Sequence, residues 1–169
     1  MNRIVINVLF VLILCSCGEK KRQIYFDSTI GKSVNVAEDI ISIPYEERGG
    51  VKFIKVRING IELDMIIDSG SSSTLISSAE ANYLLQKGWI SDDGIKGTRH
   101  NMIADGSVME NTVIVIDELI IGGKISCKNV EACVSESVNA PLLLGNEVLD
   151  RLASYTVNNV SKEIEFKLK

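Results

Sequence analysis

The stretch VKFIKVRINGIELDMIIDSG, residues 51–70, decides how the rest of the chain is read. Val51, Phe53, Lys55-Val56 and Ile58 give a β-branched, largely alternating run that predicts a strand. Asn59-Gly60 tolerates positive φ at both central positions of a two-residue turn, which favours a type I′ hairpin. Ile61 to Ile67 then returns alongside the first strand and delivers Asp68 at its end. Two apolar residues, Ile66 and Ile67, lead into Asp68-Ser69-Gly70-Ser71, so a carboxylate sits where a buried strand must turn. A charge in such a place is tolerated when it is paired, hydrogen-bonded or functionally used. Ser69, Gly70 and Ser71 offer hydroxyl and amide donors at close range. An aspartate that merely forms a turn before Ser-Gly is the plainer reading of the same residues.

Outward from this hairpin, Ile40 to Pro44 reads as an earlier strand. Ser77 or Ser78 caps a short helix reaching about Lys87, with Ser77 and Glu80 at capping-box spacing and Gly88 as terminator. Residues 91–101, rich in Asp and Gly, read as loop. Met102 to Ile116 reads as a hairpin turning at Asp105-Gly106. Gly122-Gly123 marks another turn, and Lys124 to Val134 continues the β pattern. Leu142-Leu143-Leu144-Gly145 is a buried run, followed by a helix over Glu147 to Ala153 and a closing strand pair within Tyr155 to Leu168. Short strands at close intervals with two short helices predict a mainly β barrel or sandwich.

The N-terminus sets the compartment. Met1-Asn2-Arg3 and the apolar run Ile4 to Leu14 form a stretch too short to span a bilayer comfortably, and it reads as a signal peptide over residues 1–16. Leu14-Cys15-Ser16-Cys17 resembles the lipobox at which bacterial lipoproteins are cleaved and acylated, which would make Cys17 the lipidated mature N-terminus and 17–39 a tether. An ordinary secretory signal or an uncleaved anchor are the alternatives. The expected location is the bacterial cell envelope, facing the periplasm or the cell surface. Residues 40–169 are the size of one domain. The formal net charge is −4, and the one basic cluster, Lys20-Lys21-Arg22, lies beside the tether, so nothing suggests a nucleic-acid partner. Cys127 and Cys133 remain in an oxidising compartment. Straight strand would hold them about 20 Å apart, whereas a disulfide needs Cα atoms roughly 5.5 Å apart, so a bridge would require a turn near Asn129. One histidine and no clustered ligands call for no metal and no cofactor.

The order of these elements resembles the retropepsin-like aspartic proteases: a strand, an Asn-Gly-type hairpin, a strand ending in two hydrophobics and Asp-Thr/Ser-Gly, a flap hairpin, then two hydrophobics and Gly before a short helix. Val51 to Ile58, Asn59-Gly60, Ile66-Ile67-Asp68-Ser69-Gly70, Asp105-Gly106 and Leu143-Leu144-Gly145 follow that order, and the match covers roughly Ile40 to Lys169. Ser69 stands where Thr is commoner. The resemblance implies an acid-protease barrel whose active site lies at a homodimer interface. Asp68 would be the catalytic aspartate and Ser69 would hydrogen-bond across the paired loops. The Gly70 amide would hold the carboxylate, and Ser71 would bond its outer oxygen. Leu143, Leu144 and Gly145 would pack beneath the loop, and Ala104, Asp105 and Gly106 would form the flap tip. Hydrolysis by this class needs two carboxylates about 3 Å apart sharing a proton. The chain has one Asp-Ser/Thr-Gly, so a second copy must supply the other. The substrate would be a peptide or protein.

Two rivals are visible. A serine hydrolase from Ser69, Ser71, Ser72 or Ser73 with His100 lacks a Gly-x-Ser-x-Gly elbow. A non-catalytic envelope lipoprotein would keep the barrel as a binding or assembly module, with Asp-Ser-Gly serving structure alone.

Overall fold

The structure, a computed structural model, describes residues 24–26, 40–103 and 105–169, with side chains described from residue 40 onward. It is mainly β. The hairpin anticipated at Asn59-Gly60 pairs β4 (Val51–Ile58) with β5 (Ile61–Ile67), and both turn residues take positive φ, 42° and 101°. Ile54, Val56, Ile58 and Met65 point into one buried cluster. Alternation puts the intervening charges, Lys55 and Arg57 among them, at the surface.

From this hairpin the pairing closes on itself. β4 also pairs with β8 (Val108–Ile121), β8 with β9 (Ile125–Ser135), and β9 runs parallel to β6 (Thr74–Ser77). The two-residue strand β10 (Leu143–Leu144) lies between β6 and β5, antiparallel to the first and parallel to the second. The closed path β9-β6-β10-β5-β4-β8 is a barrel filled by Ile and Val side chains, and closure removes exposed edges from these strands. Three further strands flank it. β7 (Ile95–Met102) extends β8 into a long hairpin, β3 (Glu46–Arg48) lies on β4, and β1 (Ile24–Phe26) runs parallel to β9. β1 falls inside the 17–39 segment read as tether. A second sheet, β11 (Leu152–Asn158), β12 (Glu163–Leu168) and β2 (Ile40–Pro44), adds Ile43, Ile164 and Phe166 to the same core.

Several expectations need correction. Residues 91–101 are not loop: after a 3₁₀ turn at Asp92–Gly94 they form β7, whose polar residues are held by pairing to β8 rather than by burial. The helix expected over Glu147–Ala153 stops early. Helix α2 spans only Asn146–Leu149, because Leu152 is already paired with Leu168. Cys127 and Cys133 are buried free thiols on one strand: Asn129 has φ 51°, yet β9 runs on through it without reversing, so the two cannot meet. Helix α1 (Ser78–Gln86) has its N-cap at Ser77, whose hydroxyl oxygen accepts from the Ala79 amide and also bonds Glu80.

Asp64 gives the β3-β4-β5 surface its main ion-pair node. Its carboxylate lies 2.7 Å from Lys55 Nζ, its register partner on β4, and 2.7 Å from Arg48 Nη2 on β3. Hydrogen bonds from Lys55 and then Arg48 hold its carboxyl below the usual carboxylate range. A folded-state value below the unfolded one stabilises above the unfolded value and is lost as pH falls through the folded one. Asp64→Asn should therefore lower stability by about 1 kcal/mol at neutral pH, as expected for partly exposed pairs. The gap in urea midpoint between the two proteins should close as the pH falls below about 4. A gap independent of pH would remove the ion pairs from the account.

Candidate active site

Asp68 directly follows β5 and is half-buried, and the loop after it folds back over its own carboxylate. The Gly70 amide donates to Asp68 Oδ1 at 2.9 Å, and the Ser71 amide donates to the Asp68 carbonyl at 3.2 Å. A Cβ on Gly70 would lie 3.1 Å from that same oxygen, so glycine lets the backbone come close. The Ser71 hydroxyl donates to the Ser73 carbonyl at 2.7 Å rather than to Asp68, which corrects the role expected for it. The Ser69 side chain is exposed, with no bond among the described residues.

Beneath this loop runs the Leu-Leu-Gly segment. Ile66 and Asp68 donate their amides to the carbonyls of Leu142 and Leu144, at 2.8 and 3.1 Å. Gly145 is buried under the loop: a Cβ there would press into the Ser73 carbonyl and lie 2.8 Å from the Ser71 oxygen. The next amides, of Asn146 and Glu147, donate to the Ser71 and Ser72 carbonyls at 2.9 and 3.2 Å. The orphan N–H groups at the start of α2 thus hold the loop carbonyls. Asn146 adds a side-chain bond, Nδ2 to the Ser69 carbonyl, at 3.0 Å. Asn146 was missed in the sequence, where its only signal is its place directly after Leu143-Leu144-Gly145.

Above the loop stands the β7–β8 hairpin. Its turn is closed by Gly106 N to Ile103 O and Ile103 N to Ser107 O, both 2.9 Å, and by the Ser107 amide on Asp105 Oδ1 at 2.8 Å. Hydrogen bonds from Ser107 hold the exposed Asp105 carboxyl below its ordinary range. Ala104 lies outside the described residues. Arg99 on β7, also missed in the sequence, ties the hairpin down through Glu131 on β9 at 2.5 Å and the Ser73 hydroxyl at 3.4 Å. Between hairpin and loop lies a cleft of about 200 Å³ that starts at Gly70 and is covered by Met102, Ile103 and Met109. A wider hollow of about 530 Å³ beside Leu149, Tyr155 and Lys169 lies open to solvent and includes neither Asp68 nor its loop. His100 is exposed on β7, opposite Glu110, with no bond to any of the serines at 69–73.

A closed β barrel with Asp-Ser-Gly at one strand end, a glycine-supported loop and an overhanging hairpin is the architecture of a retropepsin-like aspartic protease. A crystal structure of a retropepsin-like aspartic protease from Rickettsia conorii shares this fold, with TM-score 0.57 and 22% identity over 77% of this chain and 91% of that one. Comparison with curated proteins finds no match. The chain belongs to the family described as "gag-polyprotein putative aspartyl protease", whose model matches residues 54–151.

Proposed function

We propose that the protein is an aspartic endopeptidase, active as a homodimer, in which Asp68 from each copy forms one dyad. The observation that carries this reading is the loop itself: Asp68, held by the Gly70 amide, stands on Leu143-Leu144-Gly145, and its loop from Gly70 to Ser73 lines the cleft beneath the hairpin. Among the described residues no second carboxylate bonds Asp68, and the exposed Ser69 hydroxyl is available to a partner's loop. In the dimer the ionised aspartate takes a proton from water as the water attacks the peptide carbonyl. The protonated aspartate gives its proton to the carbonyl oxygen. Two carboxylates about 3 Å apart cannot both ionise, so they share one proton and titrate as a pair. The β7–β8 hairpin supplies the cover that excludes water from the reacting bond. Cleavage of an unfolded polypeptide by the detergent-solubilised full chain, absent with Asp68→Asn, tests the proposal. Cleavage that is unchanged in Asp68→Asn rejects it, and binding without cleavage in both proteins favours a non-catalytic barrel.

We place this activity in the bacterial envelope, on a lipid attached at Cys17. The support is Leu14-Cys15-Ser16-Cys17, which lies outside the described residues. Acyl chains contribute about 0.8 kcal/mol of membrane binding per buried methylene, so Cys17→Ser should move the protein from the membrane to the soluble fraction. An intact mass showing an unmodified chain would end this part of the proposal.

A further inference from the structure

The cleft that begins at Gly70, two residues after Asp68, has an unusual lining for a site that takes apolar side chains. Its walls are Leu75, Leu143 and Met109, but its back is polar: Asn101 from β7, Asn111 from β8 and Ser135 from β9, with the serines at 71–73 at the loop side. None of the described lining residues is charged. Asn111 is only 5% exposed and Ser135 8%. Burying amides and hydroxyls in a cleft is unfavourable unless they find partners there.

The hydrogen bonds among these groups run in one direction and leave a defined remainder. Asn101 Nδ2 donates to Asn111 Oδ1 at 3.2 Å and to Cys133 Sγ at 3.4 Å, which uses both of its N–H groups. Asn111 Nδ2 donates to the Val134 carbonyl at 3.2 Å, which uses one of its two. Asn101 Oδ1 therefore has no partner among the described residues, and Asn111 keeps one N–H. One acceptor, on Asn101, and one donor, on Asn111, are thus left over among the described residues of the lining. Ligand sites of whole small molecules span roughly 300–1,000 Å³, so a cleft of about 200 Å³ suits one side chain of a peptide.

Resting on the aspartic-protease reading, we propose that this cleft is a specificity subsite for an uncharged amide side chain, glutamine or asparagine, and that Asn101 and Asn111 read it. The substrate amide N–H donates to Asn101 Oδ1, and its carbonyl oxygen accepts from the spare N–H of Asn111. Leu75 and Leu143 flank the aliphatic part of the side chain. A charged side chain finds no counter-ion among the described lining residues, and an apolar one leaves both asparagine groups unpaired.

The test is a set of short peptides of common sequence in which each position in turn carries Gln or the similarly shaped Met. Cleavage by the full chain gives the kcat/KM ratio for each pair. Binding of the same peptides to Asp68→Asn gives the affinity ratio without cleavage. One position near the cleaved bond should favour Gln about tenfold in both measurements. Asn101→Leu should bring that ratio to about one or reverse it while still cleaving the Met peptide. Asn101→Asp, which keeps the shape, should move the preference toward Lys. The subsite is overturned if no position favours Gln, or if the preference survives Asn101→Leu. Equal cleavage by the wild type and Asp68→Asn overturns the protease reading instead, and the binding ratios then decide the subsite by themselves.

Discussion

Gly145→Ala is expected to destabilise the protein by about 1–3 kcal/mol and to lower kcat/KM roughly a hundredfold. The backbone at Gly145 has φ −95° and ψ −171°, extended values that any residue adopts, so the effect comes from space and not from conformation. One added methyl would press into the Ser73 carbonyl and stand 2.8 Å from the Ser71 oxygen. Neither neighbour is the free end of a flexible side chain. Both are backbone of the loop that carries Asp68, and both strands beneath it are fixed in the barrel. Overpacking a filled interior costs about 1–3 kcal/mol. A shift of the loop by about 1 Å is enough to cost about 10²-fold in rate, because the reacting groups must be aligned. Asn146→Ala removes only the bond to the Ser69 carbonyl and should cost about 1 kcal/mol, which makes it the control. Urea unfolding and peptide cleavage check both variants. If Gly145→Ala matched Asn146→Ala in stability and rate, the close contact beneath the loop would have no functional weight.

How much of this was legible in the sequence depended on whether a residue's place is set locally. The β4–β5 hairpin was, because alternation and the Asn59-Gly60 turn agree on one register. Its end at Ile67 put Asp68 at a strand terminus before any pairing was known. The order of Leu143-Leu144-Gly145 after the hairpin was also legible, but not the insertion of β10 between β5 and β6, which joins residues far apart in the chain. β7 was misread as loop because Lys96, Gly97, Thr98 and Arg99 carry no apolar alternation. Its strand form depends on β8 and on the Arg99–Glu131 pair. α2 was drawn too long because Glu147 to Ala153 suits a helix, while pairing of Leu152 with Leu168 overrides that preference. The Ser71 hydroxyl had two acceptors within reach, and the tight turn to β6 gives it the Ser73 carbonyl. The amide wall of the cleft could not be read from the sequence, because Asn101, Asn111 and Ser135 come from three strands and meet only after the barrel closes.

Asp68→Asn subunits, mixed in equal amounts with wild type and allowed to exchange, are expected to leave about one quarter of the activity per total protein. The reason is that a shared dyad needs an aspartate from each copy. If the variant folds and pairs normally, only dimers of two wild-type chains hold both carboxylates, and random pairing makes these about one in four. Asparagine keeps the shape of the side chain and can still accept from the Gly70 amide, so the loop geometry at 2.9 Å should persist. It cannot share a proton or take one from water, so mixed dimers should be at least about a hundredfold slower. Circular dichroism and sedimentation would first establish equal folding and pairing. A self-sufficient monomer would retain about one half, and activity linear in the wild-type fraction would reject a site shared between copies. The pH profile of the wild-type enzyme gives an independent reading. It should be bell-shaped, because only the singly protonated pair holds both a base for water and an acid for the carbonyl oxygen, and its two limbs belong to the pair rather than to either aspartate.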